Sequence, residues 1–200
     1  MGESEGQLGT MALTLTPVYE SATGDFIPIG SRMTGDEIDA FLRAVLAYGN
    51  DQPIPSEPVD VLYALSGDTL GTRILAGGLL VRSDAVLMEP GCCCGLEEWS
   101  LWFDAIDGRV MPTFGHNPVV WTERCGEDVL IHGSLGDSED GNQPFDILRV
   151  STGELLCALQ EVEGQWRAVL GAVASFASAN RAGDIAGVVC ANLDRWFGRD

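Results

Sequence analysis

The stretch Pro90-Gly91-Cys92-Cys93-Cys94-Gly95-Leu96-Glu97-Glu98-Trp99 decides how the rest of the chain is read. Three adjacent cysteines stand between glycines, and an amphipathic segment opens directly after them. Leu96, Trp99, Trp102, Phe103 and Ile106 keep helical spacing, which predicts a helix over residues 96–106, ended by Asp107-Gly108. The middle of the chain reads as short strands and the C-terminal third as helices. That segregation marks an α+β fold rather than alternating βαβ units.

Before the cysteines, residues 59–65, 74–81 and 85–88 read as strands, the last two forming a hairpin across 82–84. Gly77-Gly78 within the second implies a bulge or a close backbone approach. Thr34-Gly35-Asp36-Glu37 fits a capping box and opens a helix with Ile38, Phe41, Leu42, Val45 and Leu46 on one face. Gly49 stops it, and a Pro-rich connector follows over 51–58. Ala12 to Thr16 alternates as a strand, and Phe26 to Ile29 reads as an edge strand because of Pro28. Residues 1–10 are Gly-, Glu- and Ser-rich and are expected to be a disordered tail, leaving 11–200 as a single α+β domain.

After the cysteines, 119–122 and 129–132 pair as a hairpin around Cys125 to Asp128. An acidic loop over 136–144 carries Asp137, Glu139 and Asp140, without the spacing of a calcium-binding hand. A strand over 145–150 leads into a second capping box, Ser151 to Glu154. Leu155, Leu156, Leu159 and Val162 line one helical face, and the period resumes after Gly164 at Trp166, Val169, Leu170, Val173 and Phe176. A final helix starts at Asp184. The architecture expected is a central, mostly antiparallel sheet with a helix before it, a helix after the Cys-rich turn and a C-terminal helical segment.

Composition bounds the function. Thirty acids face eleven bases, all arginine, for a net charge of −19. Such a chain repels phosphate backbones, which argues against nucleic-acid binding, and favours a basic protein partner. No apolar run reaches membrane-span length, so no membrane association is expected. The acidic N-terminus is unlike a secretory signal, which points to the cytoplasm. A reducing cytosol keeps most of the six cysteines as free thiols.

Three chemistries compete at the cysteine stretch. Cys92, Cys93, Cys94, His116, Cys125 and His132 are soft ligands, but adjacent side chains diverge and the paired spacing of structural zinc sites is missing. No metal and no cofactor is therefore expected. A cysteine at a helix start, with a downstream histidine as base and Asn117 as orienter, suits nucleophilic catalysis. Third, small apolar cysteines pack well where a strand turns into a helix. For partner binding, the acids Glu97, Glu98, Asp137, Glu139 and Asp140, together with Trp99 and Trp121, are the candidates.

Two resemblances follow from these residues. Cys93-Cys94-Gly95-Leu96 resembles the Cys-x-Gly-Leu start of the catalytic helix in NlpC/P60-type cysteine peptidases, which implies Cys93 as nucleophile and His116 as base. The family has an acid before that cysteine, where Cys92 stands here. Pro90 to Trp99, with Gly115-His116-x-Pro118-x-x-Trp121, resembles a set of actinobacterial proteins over roughly residues 60–195. That set brings no activity with it. In size, acidity and class the chain is similar to bacterial immunity proteins of the SUKH type. The leading expectation is a non-enzymatic interaction protein; the alternative is a cysteine-dependent hydrolase.

Overall fold

Thr34 accepts from the Glu37 backbone N–H, while the Glu37 carboxylate accepts from the Thr34 N–H at 2.6 Å. This reciprocal cap starts helix α1, Gly35–Ala47, at the expected residue. Ser151 and Glu154 repeat it, with the Glu154 carboxylate 2.7 Å from the Ser151 hydroxyl. The second cap turns the end of a strand straight into a long helix.

The computed structural model describes residues 13–48, 53–67, 73–84, 86–91, 93–108, 120–134 and 145–199. Among these, strands β1 (Thr14–Glu20), β2 (Phe26–Pro28), β3 (Gly77–Arg82) and β4 (Leu87–Met88) form one antiparallel sheet in the order β2-β1-β3-β4. Strands β5 (Val120–Cys125), β6 (Asp128–Ser134) and β7 (Phe145–Ser151) form a second antiparallel sheet in sequence order. The other helices are α2 (Pro58–Ser66), α3 (Trp102–Asp107), α4 (Thr152–Ala179) and α5 (Ala186–Phe197). The fold is α+β, with its strands divided between two sheets.

Three local readings change. Residues 59–65, expected as a strand, are helix α2: Pro58 occupies its first turn, and Val61, Leu62 and Leu65 are buried at helical spacing. A short apolar run is ambiguous in period, and burial against α1 and α5 decides it. The helix expected over 96–106 is a 3-10 segment, Leu96–Leu101, followed by α3. Gly164 does not interrupt α4, because it lies on the exposed face where nothing approaches its Cα. The expected tail over residues 1–10 lies outside the described residues.

Two apolar clusters result. One gathers α1, α2 and α5 with Tyr19, Leu75 and Leu96. The other lies between the sheets and holds Leu15, Leu79, Val81, Met88, Val129, Ile131, Leu148 and Val150 with Trp99 and Trp102. Gly133 lets β6 approach β4, since a Cβ there would meet the Met88 sulfur at 2.9 Å. Helix α4 enters both clusters. Leu155, Leu159 and Val162 pack between the sheets, and Trp166, Val169, Val173 and Ala177 pack among the helices. Each buried Leu or Val among them contributes about 1.5–3 kcal/mol of apolar burial.

Gly77 and Gly78 are the close backbone approach that their sequence implied. Both have positive φ, 148° and 147°, a region open to glycine and rarely adopted by other residues. A Cβ on Gly77 would strike the Val18 carbonyl oxygen and lie 2.8 Å from the Tyr19 Cα. Gly77→Ala is expected to destabilise the protein by at least about 2 kcal/mol. Urea unfolding monitored by tryptophan fluorescence checks this; an unchanged midpoint would mean that β1 and β3 are not held this closely.

Candidate functional site

The cysteine stretch folds as a turn stitched to the residues just before β3. Cys94 N–H donates to the Gly91 carbonyl at 3.3 Å, and the Cys94 carbonyl accepts from Gly77 N–H at 3.2 Å. Leu96 N–H donates to the Leu75 carbonyl at 2.7 Å, and Ala76 bridges Gly95. Cys93 takes φ 70°, the left-handed conformation that a non-glycine residue adopts only when its surroundings impose it. This turn sends neighbouring thiols in opposite directions. Cys94 is buried in the cluster between the sheets, whereas Cys93 is exposed. Cys92, His116 and Asn117 lie outside the described residues.

Cys93 stands two residues before Gly95, the N-cap of the 3-10 segment, rather than on a helical first turn. Six residues of 3-10 helix supply little aligned dipole to favour a thiolate there. The two acids behind it have structural partners. The Glu97 carboxylate accepts from Leu75 N–H at 3.3 Å, and the Glu98 carboxylate accepts from Gly95 N–H at 3.4 Å. Burial pushes the Glu97 carboxyl above its ordinary range, and the neighbouring charge of Glu98 adds to this.

Trp99, a candidate binding residue, is instead core. It is 2% exposed, and its indole N–H donates to the Phe197 carbonyl at 2.6 Å. That bond satisfies a carbonyl in the last turn of α5, which has no helical partner of its own. Arg199 lies over the Phe103 ring at 3.6 Å and holds the same junction. Trp121 is half-buried on β5 and stacks on His132 of β6, with ring centres 4.6 Å apart and 2° between planes. His132 Nε2 lies 3.5 Å from the Glu123 carboxylate. Sequence reading treated His132 as a plain strand residue; the register Trp121 opposite His132 is what brings the two rings together. Asp137, Glu139 and Asp140 lie outside the described residues.

A void of about 10 Å³ sits under the turn, lined by Gly78, Pro90, Cys94, Glu98, Trp99 and Trp102. It has room for a single water and no substrate. Larger clefts lie elsewhere. One of about 470 Å³ runs between Thr14, Thr16, the 27–33 turn and Gln165. Another of about 440 Å³ lies between Leu13 and the first turns of α4, at Glu154, Cys157 and Glu161. Sequence reading missed both clefts. Their trace in the sequence is the spacing of Glu154, Cys157, Glu161 and Gln165, three and four residues apart. Among the described residues, no three His, Cys, Asp or Glu side chains are grouped to hold a metal.

Glu97 yields a pH-dependent prediction. A carboxyl raised in the folded state stabilises the protein below its unfolded value, and that contribution is lost as pH rises through the folded value. Glu97→Gln keeps the oxygen that accepts from Leu75 N–H and removes the charge. It is expected to raise the melting temperature at pH 7, with the gain shrinking as pH falls through the raised value of Glu97 and gone below the ordinary carboxylate range. Thermal melts of both proteins from pH 4 to 7 check this; a Gln variant that melts lower at pH 7 would refute it.

Comparison of the chain with family models, curated proteins and solved structures finds no match.

Proposed function

We propose that the chain is a non-enzymatic cytoplasmic interaction module, immunity-like in size and class, that binds a basic protein partner through its acidic surface. The observation that carries this reading is what the arginines do. Arg43 donates to the Pro55 and Ser56 carbonyls, Arg73 to the Tyr48 carbonyl, and Arg124 to the Ile106 and Gly126 carbonyls. Arg195 and Arg199 lie over the rings of Trp196 and Phe103. Asp39 pairs with Arg43, Asp128 with Arg149, and Glu163 with Arg167. Five of the eleven arginines thus meet backbone carbonyls or rings, while Glu20, Asp25, Asp36, Asp60, Glu89 and Glu127 are exposed acids. Such a surface attracts a basic partner and speeds encounter with it. No described helix is long and apolar enough to cross a membrane.

Exposure of the Cys93 thiol is the one observation that favours a cysteine-dependent hydrolase instead. The two readings part on simple measurements. Immobilised protein is expected to retain a basic protein from lysate at low salt and to release it as ionic strength rises. Capture indifferent to salt would count against electrostatic docking. Iodoacetamide at neutral pH is expected to label Cys93 no faster than a free thiol; markedly faster labelling would move the balance to the hydrolase.

A further inference from the structure

The two clefts are neighbours along β1 and α4. Leu13 lines one and Thr14 the other, and Glu161 and Gln165, one helical turn apart on α4, do the same. Together they make a groove walled on one side by Glu154, Cys157, Glu161 and Gln165, and on the other by Leu13, Thr14, Thr16 and the 27–33 turn. From residue 153 to residue 165 the helical wall runs about 18 Å. An extended chain advances about 3.3 Å per residue, so the groove takes five or six residues of one.

Its charge is one-sided. Glu37, Glu154 and Glu161 are carboxylates among the lining residues, and Arg32 is the base. Both capping acids stay ionised well into acid: the Thr34 backbone N–H holds Glu37 below the usual carboxylate range, and the Ser151 hydroxyl does so for Glu154. The chain's own first twelve residues carry Glu3 and Glu5 and no arginine, lysine or histidine, so their side chains offer no charge complementary to this lining.

We infer that the groove between β1 and the first half of α4 is the docking site for an extended, arginine- or lysine-rich segment of a partner protein. This rests on the interaction reading above and gives it a location. Basic side chains of the segment reach Glu37, Glu154 and Glu161, its backbone meets the hydroxyls of Thr14 and Thr16 and the Gln165 amide, and Cys157 lies beside its path.

The test uses a fluorescein-labelled heptapeptide of alternating arginine and alanine, titrated with the full chain at low salt and followed by anisotropy. Three variants separate the groove from diffuse charge. Glu161→Lys reverses a groove charge, Asp60→Lys makes the same reversal on exposed α2 away from the groove, and Cys157→Trp fills the groove without changing charge. Glu161→Lys and Cys157→Trp are each expected to weaken binding at least about fivefold, and Asp60→Lys less than about twofold. Far-UV circular dichroism confirms that each variant is folded.

Equal losses for Glu161→Lys and Asp60→Lys, with Cys157→Trp unaffected, would overturn the groove while leaving charge-driven partner binding intact. Failure of the heptapeptide to bind at low salt would also overturn it, while salt-sensitive capture from lysate would still stand on its own. A synthetic peptide of residues 1–12 that displaces the probe would make the occupant the chain's own segment. A dimer in sedimentation that Cys157→Trp dissolves would make it a second copy. Either result refutes the partner proposal.

Discussion

One long helix, α4, runs through both hydrophobic clusters, and most of the other elements pack against one half of it or the other. The first half of α4 closes the space between the two sheets, and its second half is the floor on which α1, α2 and α5 assemble. A helix of 28 residues in this position must run without interruption, because a bend would pull Trp166 and Val169 away from the helices that Leu155 and Leu159 cannot reach. The Ser151–Glu154 cap fixes where it starts. Since Ser151 is also the last residue of β7, the second sheet and the helical layer are locked together by one residue. Neither cluster can melt without exposing apolar surface on the helix that the other one needs, so unfolding should be cooperative.

The parts of this fold legible in the sequence are those with local chemistry. The caps at Thr34 and Ser151 need only a hydroxyl and a glutamate three residues on. Gly77-Gly78 announces a backbone approach because no other residue fits. Long-range packing decided the rest. Residues 59–65 are a short, nearly continuous apolar run that fixes no period, and contact with α1 and α5 makes them helical. The stretch after the cysteines keeps helical spacing, yet its strand-like bonds to residues 75–77 tighten the first turns to 3-10 form.

The cysteine turn sits among side chains with structural work of their own. Its composition suggests chemistry, but its neighbours are used to hold the fold. Glu97 and Glu98 accept backbone N–H groups, Trp99 closes the end of α5, and Cys94 fills the space between the sheets. Trp99 could not be told from a surface anchor in the sequence, because its partner carbonyl at Phe197 is 98 residues away. The groove beside α4 was hidden for the opposite reason. It is built from ordinary residues, and only the packing of β1 against the helix brings them into one lining.

The arrangement of the arginines has a consequence for the medium the protein tolerates. Contacts from guanidinium groups to backbone carbonyls and ring faces are short and directional, so dissolved ions disturb them little. The repulsion among thirty acids is long in range and falls away as counter-ions gather. Added salt therefore relieves the main electrostatic stress on the folded chain while leaving its internal cationic contacts in place. The conditions that make this protein most robust are those in which the proposed basic partner would be held least tightly.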